Sequence, residues 1–216
     1  DIYHFHDPYL LPTLEGILSL DSDATSVITV HGIDISGGSR LIKILNRAYR
    51  PLAQYVLDSV DKIIVLGEHE RVNVHSIFDV CDSDISVIPN AIHPEEYDVP
   101  PEAVEEFRQS YGISPSIPTI LYVGRFVDVK QPDLLIEALN DYRPDELWQV
   151  VMVGTGDESY VSSLQESADD RFIFLSNLVF EELKAAYHAA DVFTFLGSTG
   201  EGLPTVLLEA MNARLP

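Results

Sequence analysis

Three short runs in this chain carry residue types that could do chemistry. In Tyr122-Val123-Gly124-Arg125-Phe126, with Lys130 close behind, two cations follow a glycine. Arg125 offers a planar fork to phosphate oxygens and Lys130 a compact point charge. The chain has only 13 Lys and Arg against 35 Asp and Glu. A pair of cations at one place therefore suits a phosphate-bearing ligand, the other reading being two solvated charges. The second run is Gly200-Glu201-Gly202-Leu203-Pro204-Thr205-Val206-Leu207-Leu208-Glu209-Ala210. Glycines on both sides of Glu201 suit a tight loop, and Pro204 suits a first helical turn, where its missing N–H is no loss. The N–H groups of Thr205 and Val206 would then form an anion site at the helix start. Phosphates repel carboxylates, so Glu201 and Glu209 suit neutral hydroxyls, such as those of sugars and riboses. Taken singly, Glu201 also reads as a charge favourable to the helix dipole, and Glu209 as a surface residue. The third run is His4-x-His6-Asp7. Two histidines one apart on a strand point the same way, and with His31 they could ligate a metal.

These residues need a frame. Short apolar, β-branched runs at Val27–His31, Lys62–Leu66, Ile85–Ile88, Thr119–Gly124, Gln149–Gly154, Arg171–Leu175 and Val192–Leu196 read as strands buried on both faces. Helical spacing fills the intervals: Arg40–Asp58, Glu68–Val80, Pro101–Tyr111, Pro132–Asp141, Glu158–Ala168, Glu181–Ala189 and Pro204–Ala213. In the first of these, Leu41, Ile44, Leu45, Ala48, Leu52, Tyr55 and Val56 fall on one stripe, expected to face the core. Strand–helix alternation implies right-handed crossovers and parallel sheets. Arg125 and Lys130 then sit just past a strand, where open parallel sheets bind ligands. Pro89 to Pro101 holds four prolines and no helical period, which marks a linker. The expected organisation is α/β with two Rossmann-like domains, residues 1–92 and 93–216. The first is expected to be incomplete and the second to lack its last elements, so both ends read as cut.

The charge excludes some partners. A formal net charge of −22 over 216 residues argues against nucleic acid and against anionic membrane as electrostatic partners. Only Lys43, Lys62, Lys130 and Lys184 are lysines. Self-repulsion on this scale is relieved by concentrated salt, so a halophilic source is expected. One cysteine, Cys81, rules out an internal disulfide. No apolar stretch is long enough to span a bilayer, and a cytoplasmic location follows by default, with any membrane association left to segments outside this sequence.

Together the runs resemble the group 1 glycosyltransferases, the large family 4 of retaining enzymes with the two-domain GT-B fold. Two glutamates separated by seven residues match Glu201 and Glu209, and the Gly-Arg pair with a following Lys matches Gly124, Arg125 and Lys130. Val87-Ile88-Pro89-Asn90-Ala91 is similar to the family's hinge motif, with Ala91 where Gly is usual. Val153-Gly154-Thr155-Gly156 is similar to its second glycine turn, and Asp1 to Pro8 and Val30-His31-Gly32 to runs of its N-terminal domain. Ser176 and Arg214 stand where Gly is common in the family.

The resemblance implies transfer of a sugar from a nucleotide-diphosphate sugar to an acceptor, with retained configuration and without a metal or other cofactor. Arg125 and Lys130 would neutralise the leaving diphosphate, Glu209 would hold the ribose hydroxyls, and Glu201 would contact the donor sugar. His6 would reach that sugar, with His4 supporting. Backbone around Asn177 and Leu178 would edge the base, and Gly124, Gly154, Gly202, Leu203, Pro204 and Thr205 would line the donor. Donor base, donor sugar and the glycan, lipid or small-molecule acceptor are not legible. Other readings stay open: a nucleotide-sugar epimerase of the same fold, a metal-dependent hydrolase using His4 and His6, and a non-catalytic nucleotide-sugar-binding fragment.

Overall fold

A computed structural model describes residues 1–21, 23–32, 40–142, 147–197 and 202–216. The described residues form two compact units. The first comprises Asp1–Asn90 together with Gly202, Leu203 and Pro204, and the second the remainder from Ala91 onward.

The first unit runs β1 (Ile2–His6), α1 (Leu11–Leu18), β2 (Thr25–Val30), α2 (Arg40–Asp58), β3 (Lys62–Val65), α3 (Glu68–Ile77) and β4 (Ile85–Val87). Its four strands pair in that order and all in parallel. Ile28, Val30, Ile63 and Val65 of the central strands are buried against Ala53, Val56 and Leu57 of α2 and Val74 of α3. Two elements exceed the sequence expectation. β1 extends the sheet beyond the first expected strand, and α1 occupies a segment with no assigned structure; its proline falls in the first helical turn, where that residue is tolerated.

Helix α2 corrects one expectation. Among the described side chains of its apolar stripe only Val56 reaches the core, while Ile44 and Leu45 are 65% and 57% exposed and Leu52 and Tyr55 are also exposed. Apolar residues cover more than half of this helix's circumference, so spacing alone does not choose the buried arc. The sheet selects the arc of Ala53, Val56 and Leu57.

The second unit runs α4 (Pro101–Tyr111), β5 (Thr119–Val123), α5 (Pro132–Asp141), β6 (Gln149–Val153), α6 (Glu158–Ser167), β7 (Phe172–Leu175), α7 (Phe180–Ala189), β8 (Val192–Thr194) and α8 (Thr205–Asn212). The sheet order is β7-β6-β5-β8, again all parallel. Strand β6 is buried along its whole length. Its alternate residues enter two cores, Val151 and Val153 beside Leu121 and Tyr187 on one face, Val150 and Met152 beside Phe126 and Trp148 on the other. Local chemistry sets the helix ends. Pro101 and Pro132 occupy first turns, Asp157 caps α6 by accepting from the N–H groups of Ser159 and Tyr160, and Gly112 closes α4 in the left-handed region at φ 69°. The expected linker contains one turn of 3₁₀ helix, Pro94–Tyr97. No helix among the described residues is long and apolar enough to cross a membrane.

The loops leaving β5 and β6 are laced together. The Gly124 N–H donates to the Val153 carbonyl at 3.0 Å and the Phe126 N–H to the Thr155 carbonyl at 2.8 Å. A methyl group on Gly154 would collide with the Gly124 carbonyl oxygen, and one on Gly156 with the Phe126 backbone. Gly154→Ala must push the two strand ends apart, and is expected to lower stability by about 2–3 kcal/mol. Urea unfolding monitored by circular dichroism checks this, and an unchanged midpoint would refute it.

Candidate functional site

Gly124 ends β5, the exposed Arg125 follows it, and the half-buried Lys130 closes a 3₁₀ turn over Asp128–Lys130. One phenol braces this loop from beneath: Tyr122 lies within 3.3 Å of the Arg125 carbonyl and 3.4 Å of the Lys130 carbonyl, a shared donation from one hydroxyl. Lys130 Nζ lies 5.7 Å from the centre of the Phe195 ring. Arg125 makes no ion pair among the described residues.

Gly154 and Asn177 follow β6 and β7 at the same edge of the sheet. Asn177 sits in the left-handed region at φ 56°, which a short polar side chain tolerates. A cavity of about 650 Å³ opens here, lined by Gly154, Thr155, Gly156, Phe174, Ser176 and Asn177 among others. Leu178 is half-buried, its side chain packed against the core. A second cavity of about 650 Å³ lies at the opposite strand ends, beside Trp148 and Arg171. There the Arg171 guanidinium stacks 3.6 Å from the Trp148 ring centre and pairs with Asp169 at 2.6 Å. Its charge is spent internally, and ligands of open parallel sheets bind at carboxyl ends, so the first cavity is the better site.

Thr205 opens α8 directly after Pro204, and Glu209 lies about one turn further along. Glu209 is not a free surface charge. Tyr97 donates to its Oε1 at 3.0 Å and Tyr187 to its Oε2 at 2.7 Å. Burial and the adjacent carboxylate raise both phenols, Tyr97 to about 12 and Tyr187 further, so both remain donors at neutral pH. Neither tyrosine stood out in the sequence, because they lie 112 and 22 residues from Glu209 along the chain.

The first unit gathers a different set. His6 Nδ1 lies 2.8 Å from His31 Nε2, and the His6 ring stacks on His4 at 4.6 Å. His4 Nε2 lies 2.7 Å from Thr29 Oγ1, and Asp7 accepts the His31 backbone N–H at 2.8 Å. Among the described residues no group of three or more His, Cys, Asp or Glu could hold a metal, so the hydrolase reading finds no completed ligand set. Gly202 packs against Glu70, and Leu203 accepts from the Asn90 side chain at 2.7 Å. Glu70 is 3% exposed. One of its oxygens accepts the Leu66 N–H while the other has no partner among the described residues, and burial raises its carboxyl above the ordinary range. Its place on a polar helix gave no sign of this. Glu201 lies outside the described residues. Thus Gly124, Arg125, Lys130, Gly154, Asn177, Leu178, Thr205 and Glu209 belong to the second unit, and His6, Gly202, Leu203 and Pro204 to the first.

The model of the family described as "Glycosyl transferases group 1" matches residues 103–216, and that of "Glycosyltransferase Family 4" matches residues 1–96. An uncharacterized glycosyltransferase of Methanocaldococcus jannaschii is 27% identical over all of this chain and 56% of its own length. A D-inositol 3-phosphate glycosyltransferase of Corynebacterium urealyticum is 30% identical over 76% of this chain and 41% of its own. The chain spans about half the length of the curated relatives it matches. Among solved structures, Anabaena Alr3699/HepE in complex with UDP superposes with a TM-score of 0.79 at 17% identity, covering 99% of this chain and 58% of that one. Sucrose-phosphate synthase from Thermosynechococcus elongatus gives 0.80 at 21% identity, over 100% and 54%. At these identities the structures speak for the fold alone.

His6 yields a direct test. Desolvation lowers its imidazole below the ordinary value, the His4 and His31 rings lower it further, and Asp7 opposes them. Removing a neighbouring ring relieves repulsion of the imidazolium, so His4→Asn and His31→Asn are each expected to raise the His6 titration, and Asp7→Asn to lower it. Proton NMR titration of the imidazole resonances checks the signs; movement of His6 in the reverse sense would contradict this arrangement.

Proposed function

The chain belongs to the group 1 glycosyl transferases, and from that premise we propose that it binds a nucleotide-diphosphate sugar and transfers the sugar with retained anomeric configuration, without a metal ion. One observation carries the reading: Arg125 and Lys130 follow the carboxyl end of β5, in a unit whose α8 sets Glu209 apart as an acceptor of hydroxyls. As the bond between the anomeric carbon and the diphosphate oxygen breaks, negative charge builds on the leaving group. Fixed cations stabilise that charge without reorganising at the moment of reaction. The acceptor hydroxyl forms the new bond on the face the diphosphate leaves, and its proton passes to the departing oxygen. Gly124 and Thr205 line the diphosphate through their backbones, Glu209 holds the ribose, and Gly154 and the backbone of Asn177 and Leu178 border the base. The roles of Glu201 and His6 at the transferred sugar, and of Gly202, Leu203 and Pro204 along the donor, rest on the resemblance.

The solved neighbour binds UDP, and in another crystal UDP-glucose, so a uridine donor is the first to try. Titration calorimetry with UDP, GDP and ADP, in concentrated KCl with EDTA, is expected to show saturable binding of one nucleotide. Lys130→Ala and Glu209→Ala should each weaken it about tenfold or more, since hydrogen bonds to charged groups contribute roughly 1.5–3 kcal/mol. No binding by a folded chain would overturn the donor assignment, and binding lost only in EDTA would overturn metal independence. Proton NMR of the first-formed product is expected to show the donor's anomeric configuration; an inverted product would sink the retaining mechanism.

A further inference from the structure

Glu209 is the end of a built assembly. Both phenols that reach it are themselves fixed. Tyr187 is 1% exposed on α7. Tyr97 closes the Pro94–Tyr97 turn, and three side chains of the second unit seize that turn's backbone. Lys184 Nζ donates to the Glu96 carbonyl at 2.9 Å, His188 Nε2 lies 3.1 Å from the Tyr97 carbonyl, and Asn212 Nδ2 donates to the Pro94 carbonyl at 3.5 Å. The Tyr97 ring meets the edge of Phe180 at 5.3 Å between centres. A glutamate at an exposed helix position samples many rotamers, and ordering it on ligand binding has an entropic cost. Here two hydroxyl donors, one on each carboxylate oxygen, hold it in place beforehand. A carboxylate has about four acceptor positions, so two remain after the phenols. Glu209 is only half-buried, and two open acceptor positions are the number that a pair of adjacent hydroxyls needs.

We infer that Tyr97 and Tyr187 are positioning residues that aim the Glu209 carboxylate at a vicinal diol, and so set a preference for ribose over 2′-deoxyribose in the bound nucleotide. The inference rests on the donor reading above and adds to it the source of sugar-ring selectivity. Neither phenol touches the ligand. The competing role is packing alone, because a buried tyrosine needs some acceptor for its hydroxyl. The two roles separate in the ratio of affinities: a packing defect weakens every nucleotide alike, whereas a misaimed carboxylate weakens only those that use both hydroxyls.

The test compares, by calorimetry, the nucleoside diphosphate that binds best (UDP, GDP or ADP) with its 2′-deoxy counterpart. The wild-type chain is expected to favour the ribonucleotide about tenfold, the size of one lost hydrogen bond to a charged group. Tyr97→Phe is expected to weaken the ribonucleotide by about the same factor while leaving the deoxynucleotide nearly unchanged, so that the ratio approaches one. Tyr187→Phe should do the same. Because Tyr187 is buried, its variant is read only if the thermal midpoint is retained, and Tyr97→Phe decides the matter otherwise. A ratio unchanged in Tyr97→Phe, or a wild type that binds both nucleotides equally, would overturn the positioning role while leaving the donor reading standing. A folded wild-type chain that binds no nucleotide would instead bring down the donor reading, and the inference with it.

Discussion

Parallel pairing is the constraint from which the rest of this structure follows. Each strand of a parallel sheet must return through a crossover before the next begins, so all carboxyl ends lie along one edge, and the loops that leave them are neighbours. In the second unit that places the segments after β5, β6 and β7 side by side. The pairing continues past the strands: the N–H groups of Gly124 and Phe126 after β5 donate to the Val153 and Thr155 carbonyls at and just past the end of β6. Loops bonded in this way share the rigidity of the sheet, and the backbone that bears Arg125 starts from a fixed position.

Electrostatics explains why so few charges serve. Against 35 carboxylates the chain has 13 Lys and Arg, and several of these are committed within the protein. Arg71 pairs with Glu68 and Asp82, Arg171 with Asp169, and Lys184 with Glu181. The carboxylates of Asp82 and Asp84, one residue apart, are likewise engaged, by Arg71, His75 and Lys62. Glu209 is compensated differently: in place of a cation among the described residues, its two oxygens accept the phenol protons of Tyr97 and Tyr187, which draw its charge toward the Pro94–Tyr97 turn and α7.

Much of this was legible in the sequence because short-range chemistry wrote it. Nearly continuous apolar runs identify seven of the eight strands among the described residues, and Gly-Arg with a following Lys marks the loop after β5. The failures share a different cause. β1 has exposed residues along most of its length, so it lacks the apolar signature of a buried strand. Helix α2 has too many apolar residues for spacing to select the buried ones. Tyr97 and Tyr187 acquire meaning only through contacts across long sequence separations, and Glu70 looks like any acid on a polar helix until the fold buries it. Gly154 lines the cavity after β6, and a second reason for its identity is visible only in the fold: the Gly124 carbonyl leaves no room for a side chain there.

The grip of α7 and α8 on the Pro94–Tyr97 turn bears on how the chain divides into heritable parts. By secondary structure the second unit begins with α4 at Pro101, and a recombination junction placed there would look clean. It would strip the 6%-exposed Lys184 of the Glu96 carbonyl and Glu209 of one phenol. The smallest piece that carries its own carboxylate intact starts upstream of Pro94. Seven residues with no strand or α-helix among them therefore travel with the module they precede, and exchange of such modules between related chains would have to cut ahead of them.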